Sequence, residues 1–165
     1  MTLIDLNVHA SFSDGLPAPR DIETHCQRNQ IGAVVTDHNE VRGSLELVDR
    51  DRISTLPAIE VGTREGLEFL VYFNRPQLLE EFYVDAVEPF LLSRFMVRSR
   101  IGAVQCLDRA IELGAYVSLA HPYAFGRKSL NYHKVADGRY KTFVHDVLER
   151  IHAVEHFNGG IPKKA

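Results

Sequence analysis

Short apolar runs alternate with amphipathic stretches along the 165-residue chain, and most of the apolar runs end in polar residues. Runs of β-branched and apolar residues are typical of strands in a parallel sheet, and a 3.6-residue periodicity is typical of helices. The predicted strands are Leu3 to His9, which we expect to be buried, "GAVVTDHN", "LPAIEVG", "LEFLVYF", "AYVSLAHP" and "HAVEHFNGG". The predicted helices span residues 19–30, 90–113 and 142–151.

Single residues mark where several of these elements begin, turn or end. Pro19 is tolerated in the first turn of a helix, and Gly114 is well placed to end one. The third and fourth strands are so close in sequence that we expect a hairpin through Arg64, Glu65 and Gly66. The alternation of strands and helices otherwise predicts right-handed βαβ units around a mostly parallel sheet or barrel of the α/β class.

Polar side chains suited to metal binding gather at the carboxyl ends of the predicted strands. His9 ends the first strand and Asp14 follows it, while His38, Glu60 and His121 lie toward the ends of the second, third and fifth strands. In α/β sheets and barrels this edge carries the active site, because the strand ends open into one shared crevice. We therefore expect these five side chains to converge on one pocket.

The composition is that of an ordinary folded protein. Hydrophobic residues make up 45% of the chain and charged residues 25%, which suits one core in a single domain spanning residues 1–165. The net charge of −3 argues against a basic face that binds nucleic acid. No basic segment precedes an apolar core at the amino terminus, and no apolar run approaches about 20 residues. We therefore expect a cytoplasmic protein without a membrane partner.

Imidazoles and carboxylates in one pocket favour a hydrolytic metal centre. Such mixed ligands suit Zn, Mn or Fe, and one carboxylate is able to bridge two ions. Clustered ions lower the pKa of a bound water and neutralise the oxygens of a phosphate ester. A single histidine at a strand end is more often hydrogen-bonded than a ligand, but five candidate groups at successive strand ends reverse that balance.

Four stretches of the sequence, in order, resemble the PHP (polymerase and histidinol phosphatase) superfamily of metal-dependent phosphoesterases. They are "DLNVHASFSDG", "VVTDHNEVRG", "AIEVGTREGLEFLVYF" and "SLAHPYA". The closing "VEHFNGG" is similar to the strand that comes next in the family. The resemblance spans essentially the whole chain. It implies a distorted seven-stranded β/α barrel with a site for two or three divalent ions.

The resemblance also implies a role for each residue of the predicted site. His9 would bind in a first metal site, and Asp14 and His38 would bind in a second. Glu60 would be a bridging carboxylate, and His121 would be a further ligand. Asp14 and His38 would be the catalytic groups, acting through a metal-bound water.

Three features depart from the family pattern. Asn7 stands where the family usually has a histidine, so it is either a weaker metal ligand or a residue that hydrogen-bonds a neighbouring strand end. Phe69 stands near the position of another family histidine, and a phenyl ring binds no metal ion. The sequence stops at Ala165, before the late Asp-x-His of the family. We therefore expect a barrel that lacks its C-terminal units and, if the chain ends at Ala165, a homo-oligomer that covers the open edge unless a further C-terminal segment covers it.

Two classes of function remain. The first is hydrolysis of a phosphomonoester or phosphodiester, with a small phosphorylated substrate, or with nucleic acid only as a substrate. Arg42 and Arg127 would neutralise the phosphate oxygens, and a surface ion pair explains Arg42 about as well. The second is a PHP-like domain depleted of ligands, which binds metal or phosphate in a regulatory or assembly role without catalysis.

Overall fold

The computed structural model describes residues 3–92, 97–135 and 138–156, and strands alternate with helices through most of them. The strands are β1 Ile4–Val8, β2 Gly32–Val35, β3 Ala58–Gly62, β4 Glu68–Tyr72, β5 Tyr116–Leu119 and β6 Ala153–Val154. The helices are α1 Pro19–Asn29, α2 Arg42–Arg50, α3 Pro76–Phe82, α4 Ala103–Glu112, α5 Leu130–Val135 and α6 Gly138–Leu148. Within these described ranges, every helix falls short of the length and apolarity that crossing a membrane requires.

Local sequence sets the ends of several helices. Pro19 opens α1, where its missing N–H costs no helical hydrogen bond, and Asp21 accepts a hydrogen bond of 3.2 Å from the Ala18 N–H. After α4, Gly114 has a φ of 73°, a left-handed conformation that glycine adopts without strain. Both of these boundaries agree with the sequence signals.

The fourth helix is shorter than its periodicity predicts. A helix over residues 90–113 is wrong in its first half, because α4 begins only at Ala103. Gly102 just before it is extended, with a ψ of 144°, and Glu65 accepts a hydrogen bond of 2.9 Å from the Ala103 N–H. Residues 93–96 lie outside the described residues. A tertiary contact with the β3–β4 turn thus fixes where the helix begins.

The strands form two short sheets, one parallel and one of mixed direction, rather than one mostly parallel sheet. β1 pairs in parallel with β2, and β5 with β6, whereas β3, β4 and β5 are antiparallel neighbours. The predicted β3–β4 hairpin is confirmed: the Thr63 N–H donates to the Leu67 carbonyl (3.0 Å), and Gly66 has a φ of 101°. A parallel bridge between His38 and Glu60 links the two sheets.

β1 is a half-exposed strand at an open edge, not the buried strand that the sequence predicts. Ile4 is 42% exposed and Leu6 is 49% exposed. Within the described residues no ladder joins β1 to β6, although the Tyr72 hydroxyl donates to the Leu6 carbonyl (3.0 Å) across the gap. A cavity of about 520 Å³ lies between β1 and the strands β4, β5 and β6. Closure into a seven-stranded barrel and a homo-oligomer that covers this edge therefore stay predictions.

The antiparallel strands form the buried centre of the molecule. All residues of β3 and β4 are buried, and Ile59, Phe69 and Val71 belong to a core that α3, α4 and α6 cover. This core holds the ends of β3 and β4 in place beside the predicted site. The last predicted strand is reduced to Ala153–Val154, and residues 157–165 lie outside the described part of the chain.

Candidate metal centre

Glu60, on the buried strand β3, stands at the centre of the site. Its side chain is only 1% exposed. One carboxylate oxygen, Oε2, lies 3.2 Å from His9 Nε2 and 3.4 Å from His38 Nδ1. The other oxygen, Oε1, lies 3.3 Å from His121 Nε2. The histidines of three strand ends therefore meet at one carboxylate, which divides the site into two halves.

The histidine half consists of His9, His38 and Asp14 next to Oε2 of Glu60. The two imidazole rings have centroids 4.5 Å apart. Asp14 lies on their outer side, 3.4 Å from His9 Nδ1 and 3.6 Å from His38 Nε2. Each imidazole thus faces Glu60 with one nitrogen and Asp14 with the other. His9 and His38 share one side of Glu60, whereas the resemblance assigns them to different metal sites.

The lysine half consists of His121, Glu68 and Lys128 next to Oε1 of Glu60. His121 Nε2 lies 2.7 Å from Glu68 Oε2. The Lys128 Nζ lies 2.8 Å from Oε1 and 2.9 Å from Oε2 of the same carboxylate. Because Glu68 is 0% exposed, its negative charge depends on these protein partners for compensation.

Glu68 is a residue of the site that the sequence analysis missed. It is a charged residue in the otherwise apolar run "LEFLVYF". In the hairpin register it lies opposite Gly62, which puts it on the same face of the sheet as Glu60. The predicted hairpin is therefore sufficient to place Glu68 on the same face as Glu60. Phe69, the neighbouring residue, lies on the opposite face and packs in the core.

Asp37 holds the loop that carries Asp14. Its Oδ1 accepts hydrogen bonds from the Ala10 N–H (2.8 Å) and from the Ser13 hydroxyl (2.5 Å). Asp37 is fully buried, and burial raises the pKa of its carboxyl although these two hydrogen bonds oppose the shift. Its contacts therefore position the loop before Asp14.

Both the oxygen and the nitrogen of the Asn7 side-chain amide form hydrogen bonds with protein groups. Its Oδ1 accepts a hydrogen bond from the Thr36 hydroxyl (2.7 Å), and its Nδ2 donates to Glu155 Oε1 (3.1 Å). Glu155 Oε2 in turn accepts a hydrogen bond from the His121 N–H (2.7 Å). Asn7 thus ties β1 to the end of β2 and to the segment that carries His121. These contacts favour the hydrogen-bonding alternative, and a role as a metal ligand stays a prediction.

Burial and mutual contact shift the pKa values of the central groups in opposite directions. Burial by itself raises the pKa of Glu60, but the imidazoles of His121 and His9 lower it to about 2. Burial lowers the pKa of His121, but Glu60 and Glu68 outweigh it and raise the pKa to about 10. The pKa of His9 is also raised, because contact with Glu60 outweighs burial. The protonated His121 imidazole thus compensates the carboxylates, a role that a divalent ion fills in a metal site.

The donor atoms of the histidine half fit a divalent ion. Ligand atoms about 2.0–2.1 Å from a tetrahedral ion lie about 3.3 Å from each other. The nitrogens of His9 and His38 lie 3.2 and 3.4 Å from Glu60 Oε2. His38 Nδ1 is buried and makes no hydrogen bond within the described residues, a cost that a bound ion would remove. Donors of this kind suit Zn, Mn or Fe.

The two arginines predicted to bind phosphate are both exposed. The Arg42 guanidinium pairs with Glu40 (2.6 Å) and lies over the Phe12 ring at 4.9 Å. This is the surface ion pair that the sequence left open as an alternative. Arg127 lies on the one-turn helix Gly126–Lys128, beside the lysine that contacts Glu68.

Known proteins share the fold of this chain at low sequence identity. A protein assigned as a metal-dependent phosphoesterase, from Bifidobacterium adolescentis, matches with a TM-score of 0.66 and 12% identity over 98% of this chain and 79% of that one. A lesion-specific endonuclease Q from Pyrococcus furiosus matches with a TM-score of 0.61 and 16% identity over 85% of this chain and 38% of that one. This chain has a PHP-type fold.

A third structure that shares the fold of this chain comes from a different class of hydrolase. An amidohydrolase from Chromobacterium violaceum, solved with bound sulfate and no metal, matches with a TM-score of 0.62 and 13% identity over 92% of this chain and 75% of that one. No protein-family model and no curated protein matches the sequence. The resemblance drawn from the four motifs is confirmed at the level of the fold.

Proposed function

We propose that this chain is a metal-dependent phosphoesterase that hydrolyses a phosphomonoester or a phosphodiester. The geometry of the histidine half supports the proposal, because His9 and His38 present nitrogens to the buried Glu60 at 3.2 and 3.4 Å, as one ion requires. The assigned phosphoesterase and the endonuclease that share the PHP-type fold add to this support.

The residues of the histidine half have separate tasks in this proposal. His9, His38 and Glu60 hold a divalent ion, which when bound supplies a water of lowered pKa and positive charge for phosphate oxygens. Asp14 is 63% exposed and faces the outer nitrogens of both rings. It therefore orients His9 and His38 and is placed to accept a proton at the open side of the site.

Basic residues near the site would bind the phosphate group of the substrate. Arg127 follows the strand end that carries His121 and is exposed to solvent. Arg42 lies over the ring of Phe12, a residue of the loop that also contains Asp14. To bind an anion, the Arg42 guanidinium would need to leave its ion pair with Glu40. We therefore assign Arg127 the larger share of substrate binding and Arg42 the smaller.

A non-catalytic metal- or phosphate-binding domain is the second candidate. Two observations favour it: Asn7 bonds to Thr36 and Glu155, and Lys128 pairs with Glu68 at a place where a further ion would bind. Such a domain would have fewer metal ligands than a catalytic relative and would serve a regulatory or assembly role.

Metal content and hydrolysis measured on the same preparation distinguish the two candidates. The assay uses p-nitrophenyl phosphate, bis(p-nitrophenyl) phosphate and an abasic DNA duplex, each with added Mn²⁺ or Zn²⁺. We expect at least one ion per chain and hydrolysis of one of the three substrates, with both lost in His38→Ala and kept in His25→Ala, a change at an exposed histidine of α1. Bound metal without hydrolysis favours the non-catalytic domain, and the absence of bound metal contradicts the metal-dependent phosphoesterase and leaves only a phosphate-binding form of the second candidate.

A further inference from the structure

The two halves of the site differ in the spacing of their donor atoms. In the histidine half, the nitrogens of His9 and His38 lie 3.2 and 3.4 Å from Glu60 Oε2, close to the separation of about 3.3 Å expected around one tetrahedral ion. In the lysine half, His121 Nε2 lies 3.3 Å from Glu60 Oε1 but only 2.7 Å from Glu68 Oε2. That is a hydrogen-bond distance. The donor atoms of the histidine half are far enough apart to hold an ion between them. In the lysine half, His121 and Glu68 are instead hydrogen-bonded directly to each other.

A cation of the chain itself already lies in the lysine half. The Lys128 Nζ contacts both oxygens of Glu68, at 2.8 and 2.9 Å, much as an ion bound by a bidentate carboxylate would. Glu68 is 0% exposed, and a buried carboxylate without a positive partner is strongly destabilising. The ammonium therefore supplies compensation that a metal ion would otherwise provide.

We infer that the Lys128 ammonium takes the place of a metal ion beside Glu68. The chain then holds a divalent ion in the histidine half and its own cation in the lysine half. This inference rests on the proposed metal site and deepens it, because it says how many ions the site holds and what limits the number.

The position of Lys128 makes this occupation reversible. Its side chain is 44% exposed, whereas Glu68 is 0% exposed. The flexible lysine stem is able to carry the ammonium into solvent, but the carboxylate stays in place. A second ion that binds Glu60, Glu68 and His121 would therefore displace Lys128, and the competition would make that ion bind more weakly than the first.

Calorimetric titration with Zn²⁺, and separately with Mn²⁺, tests the inference without any measurement of activity. The proteins compared are the wild type, Lys128→Met and Arg127→Met, and elemental analysis after gel filtration counts the ions retained. Arg127→Met is the matched control, because it removes the neighbouring positive charge of the same short helix. We expect the wild type to retain one ion. Lys128→Met should bind a second ion at least about tenfold more tightly than the wild type does, and Arg127→Met should resemble the wild type.

A double variant shows whether the gain comes through Glu68. Glu68→Gln removes the charge that both Lys128 and a second ion would contact, so adding it to Lys128→Met should abolish the second binding event. Circular dichroism checks that each variant is folded, and Lys128→Gln replaces Lys128→Met if the latter does not fold.

The outcomes separate this inference from the proposed function. Equal ion number and affinity in the wild type and Lys128→Met overturn the inference and leave the metal site standing. A wild type that binds two ions equally well, or an Arg127→Met variant that shows the same gain, also overturns it. If no variant binds an ion, the proposed function fails and the inference fails with it.

Discussion

The histidine half and the lysine half of the site share Glu60 but are built from different partners. In the histidine half, Oε2 of Glu60 faces two imidazoles, and Asp14 lies near the outer nitrogens of both. In the second, Oε1 faces one imidazole that contacts another buried carboxylate, Glu68, which in turn pairs with Lys128. The histidine half therefore places two imidazoles around one carboxylate oxygen, whereas the lysine half contains a second buried carboxylate whose charge the protein itself neutralises.

The difference shows why ligand residues alone do not determine the number of ions in a site. Both halves contain histidine and glutamate, the usual ligands of Zn and Mn. Their behaviour toward a metal ion depends on whether a protein cation competes for the same oxygen. Lys128 is 60 residues from Glu68 in the chain, so this competition exists only in the folded state.

The largest effect is expected from Glu60→Gln, because this residue serves both halves. Loss of the carboxylate charge should weaken metal binding by about 100-fold or more, since the amide is a poor bridging ligand and His9 and His121 lose their common partner. Calorimetric titration with Zn²⁺ measures the affinity. Glu112→Gln, at a 66% exposed carboxylate, is the control and should bind metal like the wild type. Metal binding retained in Glu60→Gln would show that the two halves do not depend on a shared carboxylate.

Substitution of one histidine in each half compares the halves directly. We expect His9→Gln to weaken binding of the first ion by about 10- to 100-fold, a typical cost for damage to a metal site. His121→Gln should change the affinity of that ion by less than about threefold, because the lysine half holds a protein cation. Both variants are measured by Zn²⁺ titration under the same conditions. A larger loss in His121→Gln than in His9→Gln would reverse the assignment of the halves.

A smaller effect is expected from Asn7→Ala, and it concerns stability rather than metal. The change removes the hydrogen bonds with Thr36 and Glu155, so the free energy of unfolding should fall by about 1–2 kcal/mol. Urea unfolding followed by circular dichroism measures this, and elemental analysis should show unchanged ion content. Asn7→His tests the other role, because a histidine ligand should raise the ion content under limiting Mn²⁺ or Zn²⁺. Such a rise would identify position 7 as part of the metal site.

The smallest effect is expected from Arg42→Gln. The Arg42 side chain is 52% exposed and its ion pair with Glu40 lies at the surface, so the free energy of unfolding should change by less than about 0.5 kcal/mol. If the proposed hydrolysis is found, Arg127→Gln should raise the KM for p-nitrophenyl phosphate more than Arg42→Gln does. The opposite order would show that Arg42 leaves Glu40 to bind the phosphate.

The sequence by itself determined the features that depend on short-range pattern. Pro19 and Gly114 set helix ends, and the hairpin between β3 and β4 follows from the few residues that separate two apolar runs. The polar residues at strand ends also predicted which side chains would gather, and the structure brings His9, Asp14, His38, Glu60 and His121 together. This prediction survives the antiparallel pairing of β4 because β3 and β5 both run opposite to β4 and therefore share a direction, and β4 meets this edge with its start, at Glu68.

Only the tertiary structure decided the direction of the strands, the exposure of β1 and the division of the site. Antiparallel pairing of β4 with β5 depends on contacts between residues about fifty positions apart, which local periodicity does not encode. The pairing of Lys128 with Glu68 depends on that sheet order as well, because it brings the segment after β5 beside the start of β4. Long-range packing places the Lys128 ammonium next to the buried Glu68 carboxylate. This contact distinguishes the lysine half, which a cation of the protein occupies, from the histidine half, which is open to a metal ion.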